Sequence, residues 1–427
     1  MKYIELVRNK IQSLARGGFF HIFFGSVLVK LIAFFSSIVV VRLVDKNSYA
    51  YLVYADNLYN YVLAFAGLGM QSAICKYCAV AKSKEEDKAY LSFALKYSTL
   101  FQFIVSCIVI IYVTFFDIPF PEAKGIVYVL FFYPILSNIV SIVMGYIRAH
   151  EKNQLYSKMS VIQTLVVFIG SVLFVRIWGI TGIAGARYIA ILAAVYLGGA
   201  FIRREISGAK EYHLESREIK AFMTMSVSLM IANLFALIIP INEATLVSEL
   251  LRNEELTANY KVATMIPAQL PFVTQSIVVY YFTIIAKMED KKKIWQLSKK
   301  IGIVTTTIVV GIAFIGIILG RFIIRYVYGS QYDDAIQLAN IFWIVNAINA
   351  TIRMLPMNFL PAIGIANINA VVATVSCLVH VIGTYFCIQM FGIWGAGISS
   401  MIVYLGSGIV YWSYFRKKCM ENSTPKY

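Results

Sequence analysis

Apolar runs of about 20 residues or more recur along this chain with only short polar breaks between them, and that pattern leaves few folds open. The first runs from Gly17 to Val41; at about 1.5 Å per residue it exceeds the ~30 Å hydrocarbon layer of a bilayer. Eleven more follow, at 49–75, 89–115, 124–149, 155–177, 181–202, 219–242, 259–285, 297–320, 335–357, 366–388 and 393–415. In lipid every backbone N–H and C=O must find its partner within the protein, so spans of this length are helices. The predicted fold class is all-α: a polytopic membrane protein with twelve transmembrane helices. Charged residues are 14% of the 427, against about 25% in soluble domains, and mean hydropathy is +0.73, which excludes a soluble multidomain enzyme. The first run is too long for a signal-peptide core and lacks a small-residue cleavage pattern, so it reads as a retained helix.

The charges sit between the spans and orient them. Of 38 lysines and arginines, 27 fall in the terminal segments and even-numbered connections and 8 in the odd-numbered ones. Positive residues stay on the cytoplasmic side, which predicts two cytoplasmic termini. The formal charge of +16 is not gathered into a domain outside the spans, so nucleic acid is not an expected partner. The connections 203–218, with Arg203-Arg204, and 286–296, with Lys291-Lys292-Lys293, are too short to fold alone and read as orientation signals that meet anionic membrane lipids.

No cofactor and no metal is expected. Cys75, Cys78, Cys107, Cys377, Cys387 and Cys419 make no disulfide framework, and Cys75-Lys-Tyr-Cys78 lacks a second ligand pair. His21, His150, His213 and His380 lie in separate segments. There is no GxxxxGK[ST] loop, and Glu254-Glu255 and Asp333-Asp334 sit in short connections with no domain behind them. The expectation is a transporter rather than an enzyme.

Shifting the chain by 213 residues pairs Ala149 with Ala362, Gly170 with Gly383, Gly179-Ile180 with Gly392-Ile393, Gly182 with Gly395, and Arg203-Arg204 with Arg416-Lys417. Six spans separate the copies, so they share one orientation. This predicts two six-helix bundles related by a pseudo-twofold axis along the membrane normal, with the substrate path between them. The expected boundaries are 1–202 for the first bundle, 203–218 for a cytoplasmic linker, and 219–427 for the second bundle and its basic tail.

Charges inside the spans are the candidate site, because each costs about 2.5–3.5 kcal/mol at mid-bilayer and must face a partner or a wet cavity. They are Lys30, Arg187 and Arg353, opposed by Asp56 and Glu243, with Lys261 at the mouth of span eight. Tyr49, Asp56 and Asn60 fall along one stripe of span two, and Asn346, Asn349 and Arg353 share a face of span ten. Structural alternatives stand beside these: a Lys30–Asp56 bridge between spans one and two, and an Arg187 that snorkels to the interface. Gly316 and Gly320 form a GxxxG, read as helix packing.

Several short segments resemble the polysaccharide-synthase branch, which includes the Wzx-type O-antigen and capsule flippases, of the multidrug, oligosaccharidyl-lipid and polysaccharide exporter superfamily. They are Val39-Val40-Val41-Arg42-Leu43 with Tyr49, Gly67-Leu68-Gly69 with Ala73-Ile74, Tyr146-Ile147-Arg148-Ala149, Glu254-Glu255 with Asn259-Tyr260-Lys261-Val262-Ala263, Tyr328-Gly329-Ser330-Gln331-Tyr332, and Gly392-Ile393-Trp394-Gly395-Ala396. Two positions depart from the family pattern: Ser228 stands where a helix-seven proline is common, and Pro361 where Arg148 has its counterpart. The resemblance implies a central cavity and alternating access for an undecaprenyl-diphosphate-linked oligosaccharide in the bacterial cytoplasmic membrane. It admits a glycan polymerase and glycosyltransferases of the same pathway as partners. On that reading Lys30, Arg187, Arg353 and Lys261 face the phosphates, and Asp56, Tyr49, Asn60, Asn346 and Asn349 line the path. The rivals are a drug exporter of the same fold and, in another class, a membrane glycan polymerase or glycosyltransferase.

Overall fold

The computed structural model describes residues 19–365 and 367–421. The basic residues Lys2, Arg8, Lys10, Arg16 and Lys426 lie outside them. Among the described residues there is no strand, and eleven helical passages are long and apolar enough to cross a membrane. A further long helix, Ser216–Leu251, covers the expected span 219–242. The chain divides into two compact units, Met1–Leu234 and Phe235–Tyr427, with the division falling inside that helix.

The first unit contains α1 (Phe19–Leu43), α2 (Lys46–Ala64), α3 (Met70–Tyr77), α4 (Lys84–Phe115), α5 (Lys124–Val129), α6 (Tyr133–Ala149), α7 (Asn153–Trp178) and α8 (Thr181–Glu205), and residues 216–234 of α9 (Ser216–Leu251), whose remainder belongs to the second. Span two is not one rod. Between α2 and α3 the backbone turns left-handed at Ala66, Gly67, Leu68 and Gly69, with φ of 43°, 53°, 60° and 74°, a run that no α-helix accommodates. Span four breaks between α5 and α6, where Pro134 opens the new helix without needing an N–H partner. Polar caps begin other helices: Asp45 accepts from Ser48 N at 2.9 Å, and Ser83 from Glu86 N at 3.2 Å. The core is built of Met70, Ile74, Tyr90, Ile142, Tyr146 and Phe222.

The second unit holds α10 (Glu254–Met265), α11 (Pro271–Ala286), α12 (Lys291–Ile323), α13 (Ala335–Ile348), α14 (Met354–Ala362), α15 (Asn367–Phe391) and α16 (Trp394–Met420). Pro267 and Pro271 divide α10 from α11; a π-turn at Ile324–Tyr328 ends the passage that begins with α12, and another at Asn349–Arg353 interrupts span ten. Its core gathers Ile285, Ile301, Leu355, Phe359, Tyr411 and Phe415. The GxxxG packs helices, as expected: a Cβ at Gly316 would stand 2.4 Å from the Trp343 ring. Ser228, at the position of the family's helix-seven proline, bonds its hydroxyl to Thr224 O at 2.7 Å, while α9 carries its proline at Pro240.

The glycines that coincide at an offset of 213 make the same hairpin twice. Gly179 and Gly392 end α7 and α15 with φ of 58° and 57°, and Gly182 N and Gly395 N bond to their carbonyls at 3.1 and 3.0 Å. A Cβ at Gly182 would lie 2.3 Å from Phe174 O, and one at Gly395 2.1 Å from Cys387 O, a contact between residues again 213 apart. Only glycine permits that approach.

Candidate functional site

In the first unit, Asp56 on α2 and Arg187 on α8 meet across 131 positions of sequence. Arg187 Nη1 donates to Asp56 Oδ1 at 2.5 Å and Nη2 to Oδ2 at 2.7 Å, a bidentate fork. Arg187 is held by a protein partner: its side chain is 16% exposed, and that of Asp56 30%. The guanidinium also lies 5.2 Å from the Tyr133 ring centre. The frame is fixed by hydroxyls of α2 and α8 that donate to carbonyls of the broken span four, Tyr59 Oη to Val127 O at 2.7 Å and Tyr188 Oη to Val129 O at 2.6 Å. Tyr49, expected on the same stripe as Asp56, is 4% exposed, whereas Asn60 is half-buried. The Lys30 side chain is exposed on α1. Both oxygens of Asp56, the partner anticipated for Lys30, are engaged by Arg187.

In the second unit, the π-turn Asn349–Arg353 carries Arg353, whose Nη1 donates to Asn349 Oδ1 at 3.4 Å and whose guanidinium lies 5.2 Å from the Tyr404 ring. Its Nε makes no hydrogen bond among the described residues. Asn346 turns its amide back to Phe342 O at 2.9 Å, within its own helix. Lys261 is half-buried on α10.

Two polar clusters escaped sequence reasoning. Glu243 on α9 is 4% exposed and accepts from Ser400 Oγ at 2.6 Å; His380 Nε2, fully buried on α15, stands 3.7 Å from the same oxygen and 3.1 Å from Ser400 Oγ. Thr384 extends the chain to Ser399 at 2.8 Å. Sequence reading counted Glu243 as an intramembrane acid and His380 as a stray histidine, and their spacing of 137 positions carries no signal. In the first unit Asp87, 7% exposed, accepts from Tyr146 Oη at 2.5 Å, and its Oδ2 lies 3.2 Å from His150 Nε2. The hydrogen bond to Asp87 raises the pKa of His150 above its ordinary value. Buried Cys78 closes this cluster, its Sγ 3.9 Å from Asp87 O. Among the described residues no group of three or more His, Cys, Asp or Glu side chains is placed to hold a metal ion.

Long apolar helices, several of them broken at glycines or prolines, with a carboxylate–guanidinium pair set inside the spans, make an all-α multi-pass membrane fold. Solved structures share it. The lipid II flippase MurJ in an inward closed conformation superposes with a TM-score of 0.73 at 14% identity, over 93% of this chain and 87% of that one. An inward-facing multidrug resistance MATE family transporter of the MOP superfamily gives 0.72 at 12% identity, over 92% and 94%. A Shigella flexneri protein assigned as an O-antigen transporter is 21% identical over 239 residues, 56% of each chain, so this chain spans about half the length of the curated relative it matches. The polysaccharide biosynthesis protein family matches residues 15–289, well over half the chain. This chain belongs to that family.

Proposed function

We propose that this protein is a flippase that moves an isoprenoid-diphosphate-linked oligosaccharide, a repeat unit of O-antigen, capsule or exopolysaccharide, from the cytoplasmic to the outer leaflet of a bacterial cytoplasmic membrane by alternating access. The observation that carries the reading is a pair of arginines, Arg187 and Arg353, held within the membrane spans of a polysaccharide biosynthesis family chain. A diphosphate needs fixed cations while it is out of water, and guanidinium binds phosphate through the same fork it offers a carboxylate. Lys30 and Lys261 add charge, Tyr49, Asn60, Asn346 and Asn349 offer polar contacts to sugars, and the polyprenyl tail remains in lipid. Kinship to the O-antigen transporter and the likeness to MurJ support this assignment. Both termini face the cytoplasm, and the pathway's polymerase and glycosyltransferases act on the same substrate.

The same fold serves multidrug export, and substrate charge separates the two. In a deletion strain, surface glycan should be lost and lipid-linked repeat units should accumulate on the cytoplasmic leaflet, with ethidium efflux unchanged. Complementation should fail with Lys30→Ala or Arg353→Ala at normal membrane levels. Intact glycan with lost efflux would overturn the flippase in favour of the drug exporter.

A further inference from the structure

We propose that Asp56 is an internal stand-in for the substrate phosphate: in the resting protein it occupies the fork of Arg187 and sets a charge threshold that admits a lipid diphosphate and excludes ordinary phospholipids. The proposal rests on the flippase reading for the identity of the transported lipid, and on the geometry of the first unit for everything else.

Arg187 gives both terminal nitrogens to the two oxygens of one carboxylate. That is the arrangement a guanidinium makes with two oxygens of a phosphate, so the two anions compete for one position. The pair is not sealed: Asp56 is 30% and Arg187 16% exposed, and Asp56 and Asn60 are half-buried on a helix whose Tyr49, Tyr54, Tyr59 and Val62 are buried. Arg187 also has a second support, the Tyr133 ring at 5.2 Å, which does not depend on Asp56. The cation keeps its place when the carboxylate leaves. Arg353 differs, for its side-chain partners among the described residues are the neutral Asn349 and the Tyr404 ring. One arginine is masked by an anion and the other is not.

Masking has a consequence for selectivity. The phosphodiester of a bulk phospholipid carries a single negative charge, the same as Asp56, so exchanging one for the other brings little Coulomb gain. A diphosphate that joins a polyprenol to a sugar keeps one ionised oxygen on each phosphorus, two negative charges side by side against the single charge of Asp56, so it outcompetes the carboxylate. Specificity then comes from a repulsive element as well as an attractive one. A flippase surrounded by phospholipids needs such a filter.

The test measures binding of two probes, farnesyl diphosphate and short-chain phosphatidylglycerol, to purified full-length protein in detergent. Wild type should bind the diphosphate at least ten-fold more tightly than phosphatidylglycerol. Asp56→Asn should bind phosphatidylglycerol at least ten-fold more tightly than wild type does and lose most of that preference, Asp56→Glu should keep it, and Asp56→Asn/Arg187→Gln should lose the gain. Wild type binding both probes equally would overturn the proposal without reference to any variant, as would an Asp56→Asn protein with unchanged phosphatidylglycerol affinity. Surface-glycan complementation keeps the two ideas apart. Restored glycan with equal probe binding removes the threshold and leaves the flippase; a sharp probe preference with no glycan phenotype removes the flippase and leaves the threshold.

Discussion

Removing one partner of an intramembrane ion pair costs more than the pair itself contributes, because a charge stays behind in a low-dielectric setting. Arg187→Ala leaves Asp56 with neither of its two guanidinium bonds, and the loss of charge-assisted hydrogen bonds should lower stability by about 1.5–3 kcal/mol. A reduced melting temperature in detergent, partly restored by Arg187→Lys, checks this. His150 makes a pH-dependent prediction. Asp87 faces it at 3.2 Å, with Tyr146 Oη on the same carboxylate oxygen, Cys78 against the Asp87 carbonyl, and Glu205 adding a further raising influence. Because the folded state raises the pKa of His150, the pair's contribution is complete below the unfolded value of about 6.5 and disappears as pH rises through the raised one. The melting temperature of wild type should exceed that of His150→Gln at pH 5.5, and the gap should narrow steadily towards pH 8.5. A gap independent of pH would show that His150 acts by packing alone.

At the scale of elements, the two hairpins formed by α7–α8 and α15–α16 depend on glycine where helix meets helix. Gly182→Ala and Gly395→Ala each force a methyl to within 2.3 and 2.1 Å of a backbone carbonyl, and overpacking of this kind costs about 1–3 kcal/mol. Gly199 and Gly406, on the same helices α8 and α16, have nothing within 4 Å of an added Cβ. Alanine at those positions should leave the melting temperature and the monodisperse fraction in size exclusion unchanged, while both should fall for the hairpin variants. Equal behaviour of all four would remove the physical basis of the repeat.

For the molecule as a whole, the prediction is one of orientation and rests on the distribution of basic residues between the two sets of connections. A reporter active only outside the cytoplasm should be silent when fused after Lys293 or Tyr414 and active when fused in the connection between α12 and α13. Activity at Lys293 would invert the topology and with it the proposed direction of transport.

Span number and type were legible because bilayer thickness and backbone hydrogen bonding act on each segment separately: a run such as 155–177 becomes Asn153–Trp178 whatever its neighbours do. The hairpin glycines were legible for the same reason, as their constraint lies within about 10 residues of chain. Breaks inside spans were not anticipated from the sequence: Pro134, Pro267 and Pro271 stand at those of spans four and eight, but the left-handed run Ala66–Gly69 depends on what packs around it. The pairing of charges was not legible at all. Composition supplied Asp56, Arg187 and Glu243 as charges that each required a partner, and His380 only as a lone histidine, yet partners 131 and 137 residues apart are chosen by which helices lie side by side and how each is rotated. The local chain determined that intramembrane charges must be satisfied; tertiary packing decided that Asp56 goes to Arg187 and that His380 and Ser400 gather on Glu243, since an ion pair is made by distances in space and carries no period along the sequence.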